Sequence, residues 1–147
     1  MKVYTIGFTK KSAREFFALL KKHSVKKILD IRLNNCSQLA GFSKGADLEY
    51  FCEICGIGYE HNTRLSPTKS ILDDYKKKRI GWPEYEEQFL KLLSERKVEE
   101  LFNFGDGNND VVCFLCSEEK ADQCHRRLVA EYFKCKNPKL DIEIVHI

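Results

Sequence analysis

The chain has 147 residues with 43% hydrophobic and 12% aromatic content, and a formal net charge of +3. Such a composition fits one ordinary globular domain and excludes a disordered or collagen-like chain. The charge is too small to argue for nucleic acid by itself, and no apolar run approaches the ~20 residues a membrane span needs.

The opening residues, Met1 to Gly7, read as a strand (Lys2 to Ile6) rather than as a signal peptide. A cytoplasmic protein is therefore expected, with no membrane partner. Ser12 to Glu15 matches a capping box, and Ala13, Phe16, Phe17 and Leu20 follow at helical spacing. Lys26 to Ile31 gives a second strand. A polar connection from Arg32 to about Gly45 follows, about fourteen residues against a usual ~2–6, a length that often marks a functional loop.

A helix from about Ala46 carries Leu48, Phe51, Cys52 and Cys55 on one face and stops at Gly56. Ile57 to Glu60 is a short third strand, and Ile71 to Arg79 a short helix. Pro83 suits the first turn of a longer helix with Tyr85, Phe89, Leu92 and Leu93 inward. Phe104 to Asp110 is turn-rich. The strand Val111 to Cys116, a helix carrying Leu128, Val129, Tyr132 and Phe133, and a last strand from Ile142 to His146 complete the pattern. The alternation predicts an α/β, Rossmann-like three-layer fold, its mostly parallel sheet of about five strands flanked by helices, in one domain spanning 1–147. Ligands in such folds sit beyond the carboxyl ends of the strands, which here carry Gly7 to Lys10, Asp30 to Arg32 and Cys116 to Glu118.

Seven cysteines without a secretion signal argue for free thiols rather than disulfides. Two pairs have Cys-x-x-Cys spacing. Cys52 and Cys55 continue an apolar helical stripe, so they read as core. Cys113 and Cys116 share a strand, and an odd separation sends them to opposite faces. Cys135 extends the inner stripe of the last helix and reads as core; Cys36, in the long loop, reads as incidental. Cys116 and Cys124 differ. Cys116 ends its strand at the rim, and Cys124 follows Asp122, a candidate N-cap, which places it in the first helical turn beside His125 and Arg126. Helix dipole and cations would favour a thiolate there.

The predicted site follows from these placements. Cys116 or Cys124 would act as nucleophile or redox thiol, and Glu118 or His125 would move protons. Arg32 and Arg126 would hold the charge of an anionic, phosphate- or nucleotide-like substrate, with Asp30 beside Arg32. Gly7 and Thr9, after the first strand, would let backbone N–H groups approach it. The bland reading of Asp30 and Arg32 is a structural ion pair. Two other readings stay open: a metal site through Cys116, Cys124 and His125 with Glu118 as fourth ligand, and a nucleic-acid or protein-binding module without catalysis. Lys76 to Arg79 reads as a solvated helix end, and Trp82 and Tyr85 as core or lid. There is no Gly-x-Gly-x-x-Gly or Walker loop, and the residues do not identify a cofactor.

Taken in order, Thr5-Ile6-Gly7, Leu29-Asp30-Ile31-Arg32, Phe42 with Lys44, Gly56-Ile57-Gly58-Tyr59, and Cys116-Ser117-Glu118 with Cys124-His125-Arg126 resemble the family catalogued as domain of unknown function 488. The resemblance implies a Rossmann-like α/β domain and no particular reaction. Phe8 and Thr9 stand where many relatives have histidine and serine, and the loop Leu33 to Ser37 lacks their proline.

Overall fold

A computed structural model describes residues 1–36, 38–102 and 111–147. The turn-rich stretch 104–110 and Ser37 lie outside the described residues. Five strands form one all-parallel sheet: β1 (Lys2–Gly7), β2 (Lys27–Asp30), β3 (Gly58–His61), β4 (Val112–Cys116) and β5 (Glu143–His146), in the order β3-β2-β4-β1-β5. Among the described residues five α-helices flank it: α1 (Ala13–Lys22), α2 (Gly45–Ile54), α3 (Lys69–Lys76), α4 (Trp82–Glu95) and α5 (His125–Lys136). The three-layer α/β architecture is the one the alternation of apolar runs predicts.

Local chemistry explains where elements begin and end. Ser12 accepts from the Glu15 N–H and Glu15 accepts from the Ser12 N–H, so the capping box satisfies two donors at the start of α1. Pro83 sits in the first turn of α4, where its missing N–H costs nothing. Gly56 takes a left-handed φ of +67° just after α2, turning the chain into β3. The long connection after β2 is not wholly irregular: Gln38–Ser43 forms a 3₁₀ turn, as do Thr63–Leu65 and Val98–Leu101.

Strand alternation divides the interior. Val112 and Phe114 of β4 pack with Leu29 of β2 and with α4 and α5, through Phe89, Leu93, Val129 and Phe133. Cys113 and Leu115 pack on the opposite face with Phe16 and Leu20 of α1 and Leu48 and Cys52 of α2. All of β4 is buried, as a strand covered on both faces must be. Cys113 and Cys116 thus face opposite layers. Cys52 is buried beside Cys113, Cys55 is half-buried, and burial pushes the Cys52 thiol up to about 12. Cys135 corrects the expectation of a core residue: it is exposed on the last turn of α5. No helix among the described residues is long and apolar enough to cross a membrane.

The order of the strands creates the site. From β1 the chain moves to one edge through β2 and β3, then returns to place β4 between β1 and β2. Connections leave the carboxyl end of β4 toward one face and those of β1 and β2 toward the other, opening a crevice between them.

Candidate functional site

A cleft of about 260 Å³ lies beyond the ends of β2 and β4. Its floor holds Cys116 from the last position of β4, with Cys124 and His125 from the start of α5. Tyr75 of α3 and Trp82 and Tyr85 of α4 form an aromatic wall, and Asn34 from the loop after β2 lies opposite. Trp82 stacks on Tyr85 with ring centroids 5.0 Å apart, and Tyr75 packs on both. The Tyr75 hydroxyl donates to the side-chain oxygen of Gln123, tying α3 to the loop after β4.

The floor is a tight cluster. One donor atom each from Cys116, Cys124 and His125 lies within 4.8 Å of the others, and all three residues are buried. His125 Nε2 lies 2.8 Å from the Ile31 carbonyl oxygen. A carbonyl only accepts, so Nε2 carries a proton and donates it. That leaves Nδ1 to Cys116 Sγ, at 3.4 Å the nearer of the two ring nitrogens. Phe89 meets the imidazole edge-on and fixes its plane.

Cys116 is held below the ordinary thiol value. The Cys124 S–H donates to it; burial opposes; the Ser117 and Glu118 backbone N–H groups and the Arg126 charge add to the lowering. Cys124 is pushed far up, first because it donates to Cys116 and then by burial. This reverses the expected thiolate at Cys124. The physical reason is the helix start: α5 begins at His125, and Cys124 is the N-cap residue in extended conformation, with no cap bond from its side chain and no N-cap at Asp122. Of the two sulfurs, the one shifted toward the thiolate is the one facing the loop's N–H groups.

Of the other expected site residues, Arg32 and Glu118 line the cleft, whereas Asp30, Arg126, Gly7 and Thr9 do not. Asp30 points to the layer of α1 and α2, opposite to Cys116, and is fully buried. It accepts from Arg32 through both oxygens, at 2.8 and 2.6 Å, and from the Tyr59 hydroxyl at 2.6 Å. Arg32 also donates to the Ser43 carbonyl and lies over the Phe8 ring, so its guanidinium is bonded to protein although the residue lines the cleft. Arg126 is 1% exposed and donates to the carbonyls of Glu118 and Glu119, holding the loop after β4 in place. Thr9 donates from its hydroxyl and its N–H to the Ser117 carbonyl, tying the loop after β1 to the same segment. Gly7 is packed against that loop: a Cβ there would lie 1.7 Å from the Glu118 carbonyl oxygen and 2.7 Å from an Arg126 nitrogen. Glu118 lines the cleft with an exposed side chain and is not in the Cys116–Cys124–His125 group, so the expected fourth metal ligand is absent from that cluster.

Sequence reasoning singled out Trp82 and Tyr85 but missed other residues of the cleft lining. Tyr75, Gln123 and Asn34 carry no motif, and Lys76, read as part of a solvated helix end, lines the cleft. Trp82 and Tyr85 belong both to the core and to the wall.

The three floor residues have the donor set of a thiophilic ion such as zinc, with His125 oriented through its second nitrogen as metal-bound histidines are. They equally have the parts of a nucleophile and base pair, with a carbonyl as the third, orienting group.

No curated protein and no solved structure matches the chain. The family model described as "Domain of unknown function DUF488" matches residues 12–133. That span includes the Asp30–Arg32 strand end and the whole Cys116-to-Arg126 floor, and the chain belongs to the DUF488 family.

Proposed function

We propose that this protein is a thiol-dependent enzyme in which Cys116 attacks a small electrophilic substrate and His125 moves the proton. The observation that carries the reading is the pair of contacts made by His125: Nε2–H on the Ile31 carbonyl and Nδ1 facing Cys116 Sγ. An imidazole locked in this tautomer takes the thiol proton and returns it to a leaving group, as the middle member of a nucleophile–base–orienter chain does. The Ser117 and Glu118 N–H groups stabilise the thiolate before attack.

The cleft narrows the substrate. Cys116 is 4% exposed at the base of about 260 Å³, which suits a small molecule rather than a protein surface. An anionic group on it would be met by Lys76; Arg32 is turned onto Asp30 and the Ser43 carbonyl, and Arg126 onto the Glu118 and Glu119 carbonyls, with only its buried Nε unpartnered among the described residues. Those two arginines act as positioning residues for the loops that shape the floor.

The test is brief alkylation of the native, chelator-treated protein with iodoacetamide near neutral pH, followed by peptide mapping. Cys116 is expected to react faster than the exposed Cys36 and Cys135 despite its burial, and His125→Asn to remove that advantage. A Cys116 no faster than buried Cys52 overturns the reading. The second reading, a metal centre, rests on the convergence of three ligand atoms within 4.8 Å. One tightly bound metal ion per chain in elemental analysis of the purified protein would replace the free thiol with that centre.

A further inference from the structure

Cys124 has no part in the attack just described, yet its sulfur lies in the same buried cluster, within 4.8 Å of Cys116 Sγ and of a His125 ring nitrogen. We propose that Cys116 and Cys124 form a reversible dithiol–disulfide couple that reduces small hydroperoxides at the cleft floor. The inference rests on the thiol reading of the site and deepens it by naming the electrophile and the second sulfur.

Placement singles this pair out. Cys113, Cys52 and the half-buried Cys55 pack in the opposite layer, across the sheet from Cys116, and Cys36 and Cys135 are exposed. Cys116 and Cys124 both line the cleft. They stand at the two ends of one loop, on the last residue of β4 and on the residue before α5. Closing the bond requires the sulfurs to approach to ~2.0 Å, a rotation about two side chains with adjustment of a loop whose tip, Glu118 to Lys120, is exposed. The confined floor favours hydrogen peroxide or a short alkyl hydroperoxide over any bulky oxidant.

The chemistry balances in two steps. The Cys116 thiolate attacks the peroxide oxygen: an S–O bond forms, the O–O bond breaks, and the departing alkoxide or hydroxide takes the proton that His125 Nδ1 had accepted from Cys116, leaving a sulfenic acid and a neutral imidazole. Cys124 then gives its proton to His125 Nδ1 as its sulfur attacks the Cys116 sulfur. The S–S bond forms, the S–O bond breaks, and hydroxide leaves with that proton as water. Sulfur is oxidised by two electrons in all and the peroxide reduced by two. A small dithiol, attacking the disulfide and leaving as its own cyclic disulfide, restores both thiols.

The experiment uses the full chain, chelator-treated and reduced, exposed to one equivalent of hydrogen peroxide. The remaining thiols are capped, counted after denaturation and mapped by mass spectrometry. The expected result is a fall from seven free thiols to five, a cross-linked Cys116–Cys124 peptide, and full recovery with dithiothreitol. A Cys36→Ser, Cys135→Ser double variant, altered only at exposed positions, should bridge to the same extent. In Cys124→Ser, a sulfenic acid at Cys116 trapped by dimedone is expected, with no bridge. Oxidation confined to Cys36 and Cys135, or over-oxidation of Cys116 without a bridge in the wild-type chain, overturns the proposal. If Cys116 still alkylates fast in that case, only this inference falls; if it does not, the thiol reading falls with it.

Discussion

His125 Nε2 sits 2.8 Å from the main-chain oxygen of Ile31, a residue 94 positions earlier at the end of β2. The contact joins the residue just past β2 to the first residue of α5, because Asp30 is registered opposite Leu115 and the chain beyond each strand turns into the cleft from its own side. A backbone carbonyl cannot be protonated or lost by substitution, so the tautomer of His125 is set by the sheet. The reactive sulfur inherits its partner from strand register.

Replacing His125 by Gln should therefore lower the alkylation rate of Cys116 near neutral pH by about tenfold or more, since the activating base is removed. The reactivity of Cys36 and Cys135 serves as the internal reference. An equal loss at all three cysteines would point to a general change in folding instead.

Gly7→Ala tests the contact that seats the loop after β4. Its Cβ would stand 1.7 Å from a backbone oxygen, which has no rotamer with which to move away. Overpacking of this kind costs about 1–3 kcal/mol, read as a Tm lowered by roughly 2–4 °C per kcal/mol. Cys116 reactivity should change as well, because Ser117 and Glu118 move with the loop. An unchanged Tm would show that the loop can sit elsewhere at no cost.

Asp30→Asn leaves the buried Arg32 guanidinium without its counter-charge, and breaking such a pair costs about 3–5 kcal/mol. Tyr59→Phe removes the hydroxyl that donates to the same carboxylate and accepts from Asn35, and should cost only about 1–2 kcal/mol. Urea denaturation of both variants checks the ranking; the reverse order would contradict the arrangement.

Burial, and then the repulsion of Arg126, lower His146 below its ordinary 6.5; Arg127 adds to this, while Glu131 and Asp122 oppose. Its ring accepts or donates at Thr5 Oγ1 across the β1–β5 pair. With the folded value below the unfolded one, the unfolded chain binds more protons on acidification. The stabilisation is complete above the unfolded value and is lost as pH falls through the folded one. Denaturation at about pH 7.5 and about pH 5.5 should show a smaller loss on acidification in His146→Asn than in the wild type. A difference of opposite sign would refute the assignment.

The sheet, the helix order and the rim were legible in the sequence because each rests on local periodicity: the unbroken apolar run at 112–116, the Ser12–Glu15 cap, the Asp-x-Arg strand end. What local pattern could not convey was which way a guanidinium turns. Arg32 and Arg126 look like substrate clamps until Ser43 and the Glu118 and Glu119 carbonyls are known to receive them. Cys135 shares an angular position with Leu128, but seven residues carry it ~10 Å along the helix, to a turn open to solvent. Tyr75 and Gln123 meet only through tertiary packing, 48 residues apart.

The insertion of β4 between β1 and β2 carries a consequence for synthesis. The first two strands leave the ribosome long before the one that fills the space between them, so the nascent β1–α1–β2 segment has no completed sheet to join. Cys116, Cys124 and His125 emerge with and just after the central strand, ahead of β5, which then adds to β1. A chain cut short ahead of β4 would lack both the middle of its sheet and all three floor residues.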